Sequence, residues 1–127
     1  MPLILEIDSM SKQFLPLPEG LSFDDVAALI LVVTELGRQR TAERFAAAHD
    51  DHHTDGSLAA AGGCYLLHAG ATPTVRDLYP AGTPCDLWPW GVNWWKPQTP
   101  QRDAVRGAAL GVAEISRRLR AGEKVEG

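Results

Sequence analysis

The chain has 127 residues and a formal net charge of −4, with 45% hydrophobic and 22% charged residues. This composition is typical of one globular domain with a real core, and it excludes a disordered chain. The acidic balance argues against a general nucleic-acid binder, although a local cluster of arginines could still hold a small anion. No apolar run approaches the roughly 18 residues of a membrane span, and the start lacks the basic region of a signal peptide. We therefore expect a cytoplasmic protein with no membrane partner.

Residues 1–21 predict an extended arm. Leu3–Ile7 has the composition of a short strand but no obvious partner, and Pro16 and Pro18 enforce an extended backbone. We expect this arm to cross the helices or to contact a second subunit.

The first predicted helix covers residues 22–48. Ser22 is a good N-cap, and the run Val26–Val33 is apolar on every side. We expect that run to be buried between helices or in a homodimer, because three helices offer little else to cover it. The second half carries Glu35 and Arg38, whose spacing is typical of a solvated face with i,i+3 pairing.

The segment 49–56 holds three of the four histidines and three carboxylates. One interpretation is a polar loop whose side chains cap helix ends. The other is a site for Mg²⁺, Mn²⁺ or Zn²⁺, because imidazole and carboxylate are metal ligands. The candidate ligands are His49, Asp50, His52, His53 and Asp55.

The second predicted helix covers residues 55–69. Its stripe of Leu58, Ala61, Gly62 and Tyr65 indicates one packed face. Two glycines inside a helix cost about 1 kcal/mol each relative to alanine, which favours close backbone approach to a neighbouring helix.

The third predicted helix covers residues 100–121, with Thr99 as its cap and Pro100 at its first position. Small residues such as Gly107 indicate close packing. We expect its apolar stripe to face the core; the stripe consists of Val105, Ala108, Val112, Ile115 and Leu119.

The connection 70–99 is long for a compact domain and contains all four tryptophans within eight residues. The rings could form a lid that completes the core, or one or two could stack on a planar ligand such as a nucleobase. Arginines of the first helix could supply phosphate contacts. The candidate ligand-binding residues are Glu35, Arg38, Arg40, Arg44, Trp88, Trp90, Trp94, Trp95 and Lys96.

Cys64 and Cys85 are too few for a disulfide scaffold and do not form a CxxC knuckle. We expect reduced thiols, with Cys64 packed among small apolar residues.

Several blocks together resemble a family of short phage and prophage proteins. They are Glu35–Arg40, His49–Ala59, Cys64–Tyr65, Trp88–Trp90, Trp94–Pro97, Arg102–Asp103 and Ala113–Ile115. The family pattern runs HDDxHxDGxLAxAAxCYA, then WPWxxxWWKP, then RRDLVKAGALIxAEI. The resemblance covers residues 35–120 and implies a phage or prophage origin in a bacterial host. It implies no particular reaction.

The order of elements is more distantly similar to phage MazG-like all-α nucleotide pyrophosphohydrolases. Those enzymes hold Mg²⁺ with an EExxE motif, whereas Ser57–His68 contains no carboxylate. A metal site of that type does not carry over, so a metal would need the loop, together with Glu35 or Glu114.

We therefore predict an all-α domain of three principal helices with an aromatic lid, which forms a homodimer. Three functions stay open. The first is binding of a nucleotide-like anion, used to sequester a host signalling nucleotide. The second is a metal-dependent nucleotide hydrolase. The third is a protein–protein interaction module that acts on a host protein.

Overall fold

The computed structural model describes residues 4–8, 13–41, 50–71, 73–80 and 82–127. The elements are β1 (Ile4–Asp8), β2 (Gln13–Pro16), α1 (Phe23–Thr41), α2 (Ser57–Ala69), α3 (Pro73–Leu78) and α4 (Pro100–Arg120). The prediction of an all-α fold with three principal helices is confirmed, and a short β-hairpin precedes those helices. The chain divides into two compact units, residues 1–31 and 32–127. Within the described ranges, no helix is long and apolar enough to cross a membrane.

The first unit contains the hairpin. β1 and β2 pair antiparallel, with Ile4 opposite Pro16 and an irregularity between Glu6 and Asp8. The strand expected near residues 3–7 therefore has a partner, which lies within the segment predicted to be an extended arm. The sequence did not reveal it because β2 is only four residues long and ends at a proline.

A reciprocal pair of hydrogen bonds caps the N-terminus of α1. The backbone N–H of Asp25 donates to Ser22 Oγ at 3.1 Å, and the Ser22 N–H donates to Asp25 Oδ2 at 2.9 Å. This arrangement is a capping box, which satisfies donors that a helix N-terminus leaves without partners. The prediction that Ser22 caps the helix is confirmed.

The burial of α1 within the single chain differs from the prediction. Ile30 and Val33 are 47% and 43% exposed, whereas Glu35 and Gln39 are buried. Residues of the apolar half are exposed in the single chain, so burial of that half in a homodimer stays a prediction. The expectation of a solvated polar half is wrong. The reason is that a carboxylate is readily buried where hydrogen-bond donors surround it, and an isolated helix pattern does not show those donors. The helix is described as far as Thr41, and residues 42–49 lie outside the described part.

The second unit is built on the packing of α2 against α4. A Cβ on Gly62 would lie 2.8 Å from the Gly107 carbonyl oxygen, and a Cβ on Gly107 would lie 2.7 Å from the Gly62 carbonyl oxygen. The two backbones therefore touch where neither residue has a side chain. The predicted close approach is confirmed at these two positions, and the stripe of α2 that includes Leu58 and Tyr65 is buried as expected.

The cap of α4 is as predicted, with the Arg102 N–H donating to Thr99 Oγ1 at 3.2 Å and a proline in the first turn. Its buried face is not the predicted one, because Val112, Ile115 and Leu119 are exposed. The buried set is Asp103, Gly107, Ala109, Leu110, Ala113, Glu114 and Arg117. The close approach at Gly107 fixes which side of the helix faces α2, and ion pairs allow charged groups to lie on that side.

The connection between α2 and α4 is more regular than expected. It contains the short helix α3 and a 3₁₀ turn over Val92–Trp94. The ring of Trp95 is buried and stacks on Tyr65, with 4.6 Å between the centroids. The tryptophan segment therefore closes the core above α2.

Candidate functional site

A pocket of about 530 Å³ opens within the second unit, where α1, α2, α4 and the tryptophan segment meet. It is lined by Leu36, Gln39, Arg40, Asp50, His53, Leu58, Tyr65, Trp88, Trp90, Trp94, Lys96, Arg106 and Leu110. Its volume falls in the range of small-molecule sites, which are mostly apolar and carry a few placed polar groups.

Aromatic rings that support one another form one wall of the pocket. Trp88 makes edge contacts with Tyr65 at 5.6 Å and with Trp90 at 5.5 Å between centroids. The Trp88 indole N–H donates to the Gly91 carbonyl at 3.1 Å, and His53 lies 5.4 Å from Trp90. Edge-to-face contacts are favourable for aromatic pairs, so these rings are held in place before any ligand arrives.

Three cationic side chains line the same pocket: Arg40, Lys96 and Arg106. Arg106 donates to the Lys96 carbonyl at 2.7 Å and lies over the Tyr65 ring at 5.3 Å. Asp50 is the one carboxylate that contributes to this lining among the residues described. The pocket therefore has a local excess of positive charge in a chain whose net charge is −4.

Arg40 is paired with a carboxylate of the same pocket. One of its terminal nitrogens lies 3.5 Å from Asp50 Oδ2, which is an ion-pair distance. That nitrogen is Nη2, which like Nε is buried and donates no hydrogen bond to any residue that the structure describes.

Beside the pocket, Glu35 organises a cluster of charged side chains. The Glu35 carboxylate accepts hydrogen bonds from Arg38 Nε and Nη2 at 2.8 Å each, from Gln39 Nε2 at 3.0 Å, and from Arg102 Nη2. Burial alone would raise the pKa of Glu35, but the hydrogen bonds from Arg38, Arg102 and Gln39 outweigh it and lower the pKa from 4.5 to about 2. Glu35 is therefore a fixed anion that joins α1 to α4.

Two further carboxylates are buried on α4. Asp103 accepts from the backbone N–H of Gln98 at 2.7 Å and pairs with His68 Nδ1 at 2.9 Å. Glu114 pairs with Arg117. The sequence suggested only a dipole partner for Asp103 and a helix-terminus role for His68, because their pairing joins positions 35 residues apart.

The acidic residues of segment 49–56 each interact with a different partner. Asp50 pairs with Arg40, and Asp51 accepts from Arg120 at 2.9 and 3.0 Å. Asp55 accepts from the Ser57 N–H at 3.1 Å, and its hydrogen bonds with Ser57 lower its pKa. The predicted start of the second helix at residue 55 is thus replaced by a turn before Ser57.

The histidines of the same segment also lie apart. His53 Nδ1 lies 3.1 Å from Ser57 Oγ, and the ring lines the pocket, whereas His52 is largely exposed. His49, the remaining candidate ligand, lies outside the described residues. Among the residues that are described, no three histidine, cysteine or acidic side chains converge as a metal-binding group. Glu35 and Glu114, the proposed supplementary ligands, are both engaged by arginines.

The structure brings together five of the nine predicted ligand-binding residues: Arg40, Trp88, Trp90, Trp94 and Lys96. Glu35 and Arg38 lie in the adjacent charged cluster, Trp95 lies in the core, and Arg44 is outside the described residues.

Sequence reasoning missed Tyr65 and Arg106 as pocket residues. Arg106 follows Arg102 by four positions on α4, so the two side chains lie on the same face of the helix. That spacing could have identified Arg106 from the sequence.

Comparison with known proteins adds no assignment: no family model, no curated protein and no solved structure matches this chain.

Proposed function

We propose that this protein binds a planar aromatic anion of the nucleoside-phosphate class in the pocket of its second unit. The observation that carries the proposal is the joint presence, around one cavity of about 530 Å³, of three indole rings and three cationic side chains. Neither feature alone would suggest this ligand class. A purely aromatic pocket suits many apolar molecules, and a purely cationic one suits any small anion.

The rings supply the contact for the base. Trp88 and Trp90 are fixed by mutual edge contact, while Trp94 is 54% exposed at the pocket. Stacking of a base on an aromatic side chain contributes about 1–3 kcal/mol and tolerates different bases. The proposal therefore specifies a nucleoside phosphate as a class, and the identity of the base is left to the experiment.

The cations supply the contact for the phosphate. Arg40, Lys96 and Arg106 line the same cavity. Hydrogen bonds between arginine and phosphate are charge-assisted and roughly twice as strong as neutral ones. The Asp50 carboxylate lies 3.5 Å from Nη2 of Arg40, so a phosphate at this end of the pocket would compete with Asp50 for that arginine.

The first experiment is incubation of the purified protein with a pool of mono-, di- and cyclic nucleotides, with and without Mg²⁺ or Mn²⁺. The solution is then chromatographed before and after heat denaturation of the protein. We expect one nucleotide to leave solution and to return intact on denaturation. A new product would instead support the metal-dependent hydrolase, and no change in any nucleotide would refute nucleotide binding.

Variants locate the site. Trp90→Leu should weaken binding of the retained nucleotide roughly 5- to 150-fold if a base stacks there, and Arg40→Gln should weaken it at least about tenfold. The matched controls are Leu87→Ala, which changes an exposed apolar neighbour, and Lys124→Gln, which removes one positive charge from the exposed tail. Equal affinity in Trp90→Leu, Arg40→Gln and wild type would exclude this pocket.

The resemblance to phage and prophage proteins extends the proposal to a role. A protein that retains a nucleotide without converting it would lower the free concentration of a host signalling nucleotide. Sequestration requires a stoichiometric complex, so the expected result is saturation at one nucleotide per site, with no turnover over hours.

A separate observation favours a second proposal, which is self-association. Ile115 is 60% exposed and Leu119 is 43% exposed on an apolar stripe of α4, and Ile30 of α1 is 47% exposed. Such surfaces are typical of interfaces in oligomers. We expect a homodimer by light scattering, Leu119→Glu should shift it toward monomer, and Val125→Glu in the exposed tail should not. A wild-type monomer at high micromolar concentration would refute the dimer.

A further inference from the structure

Two thiols from distant parts of the chain meet beneath the tryptophan segment. Cys64 lies on α2 and is buried, and Cys85 lies three residues before Trp88 and is partly buried against the same core. Their Sγ atoms are 2.8 Å apart, although both cysteines are free thiols. Neither cysteine belongs to the described lining of the pocket, so nucleotide binding gives no reason for this pairing.

We propose that Cys64 and Cys85 form a reversible disulfide by exchange with a low-molecular-weight disulfide of the glutathione type. A disulfide bond is about 2.05 Å long, so the sulfurs have to approach each other by less than about 1 Å. The elements that carry them are already packed together through the core cluster. Bond formation therefore requires only a small displacement of the partly buried segment at Cys85.

The exchange proceeds in two balanced steps. Cys85 is the less buried of the two cysteines, and its thiolate attacks the oxidant, which forms a mixed disulfide and releases one glutathione. Cys64 then loses its proton to solvent and attacks the Cys85 sulfur, which releases the second glutathione. The two protein thiols are oxidised by two electrons, and the glutathione disulfide is reduced to two glutathione molecules.

The order of these steps follows from burial. Cys64 is only 3% exposed. Burial, together with the neighbouring Cys85 thiol, raises the pKa of Cys64 to about 12. A thiol in that condition is a poor first nucleophile at neutral pH, because the thiolate is the reactive form. Cys85 therefore starts the exchange, and Cys64 resolves it through its proximity.

The bond would attach the aromatic wall of the pocket to α2. The backbone N–H of Trp88 donates a hydrogen bond to the carbonyl of Cys85 at 3.0 Å, so the two residues belong to one turn. Linking residues 64 and 85 also closes a loop of about 20 residues, which restricts the unfolded chain. We expect oxidation to raise the melting temperature by roughly 5–15 °C for a chain of this size.

The test is intact-protein mass spectrometry of the full chain after incubation with glutathione disulfide, followed by acid quenching and alkylation in denaturant. The expected product has lost two hydrogen masses, takes up no alkylating agent and returns to the dithiol with excess glutathione. Proteolysis should yield one peptide pair joined through Cys64 and Cys85. An unchanged mass, a stable glutathione adduct, or a disulfide between two chains would each overturn the proposal.

Single variants test the roles of the two sulfurs. Cys64→Ser should stop at a glutathione adduct on Cys85, because no second thiol resolves it. Cys85→Ser should remain unmodified, because the remaining thiol is buried. The reverse pattern would overturn the proposed order. The mass measurement is made without a nucleotide, so failure of the disulfide to form would not contradict nucleotide binding. Equally, failure to bind a nucleotide would not contradict the disulfide.

Discussion

The cluster around Glu35 allows a quantitative prediction, with Glu35→Gln as the perturbation. Glutamine keeps the volume of the side chain and part of its hydrogen bonding, but it removes the negative charge that Arg38 and Arg102 share. Because the Glu35 side chain is fully buried, no water reaches its position to replace the interactions with Arg38 and Arg102 that the substitution removes. The substitution therefore measures how much the negative charge contributes to the free energy of unfolding, with little change in packing.

The magnitude follows from the pKa of Glu35, which falls from 4.5 to about 2. Lowering a pKa by one corresponds to about 1.4 kcal/mol of preference for the charged form, so the folded environment favours the anion by about 3 kcal/mol. The side chains of Arg38 and Arg102 are about one-third exposed, and water around them screens part of this interaction. We therefore expect Glu35→Gln to lower the free energy of unfolding by about 2–3 kcal/mol at pH 7.

Urea unfolding followed by far-UV circular dichroism would measure the effect. The midpoint should fall while the dependence on denaturant stays the same, because the surface exposed on unfolding is unchanged. Glu126→Gln removes the same charge from the exposed tail and should change stability by less than about 0.5 kcal/mol. A Glu35→Gln protein as stable as Glu126→Gln would refute the reasoning. Removing Arg102 in the Glu35→Gln background should then cost less than removing it from wild type.

Acidification and the helix glycines give further predictions. The stabilisation from Glu35 is fully present above its unfolded pKa of 4.5 and disappears as the pH falls to about 2, so wild type and Glu35→Gln should converge in urea midpoint over that window. Gly62→Ala should lower the free energy of unfolding by about 1–3 kcal/mol, because the new Cβ meets the Gly107 carbonyl. Gly63→Ala, which meets nothing within 4 Å, should instead raise it by up to about 1 kcal/mol. Equal effects of the two alanines would contradict the close approach.

Local signals predicted several elements correctly. Ser22 and Thr99 cap their helices because each places an acceptor next to N–H groups that have no other partner. Gly62 indicated a close approach because a helix accepts an internal glycine mainly where a neighbouring backbone needs the space. Trp88 and Trp90 lie in the pocket wall, and their contact with a ligand stays a prediction. Each of these inferences depends on residues within a few positions of one another.

The amino-acid sequence by itself determined the three principal helices, the caps Ser22 and Thr99 and the glycine that admits a neighbouring backbone, because these depend on short-range geometry. The tertiary structure decided which faces are buried. Glu35 is buried because Arg102, 67 residues away, donates to it, and the same kind of long-range pairing joins Asp103 to His68. Hydrophobic periodicity assigns such charged faces to solvent, since the free energy of burying a charge depends on partners that only the folded chain brings within hydrogen-bond distance.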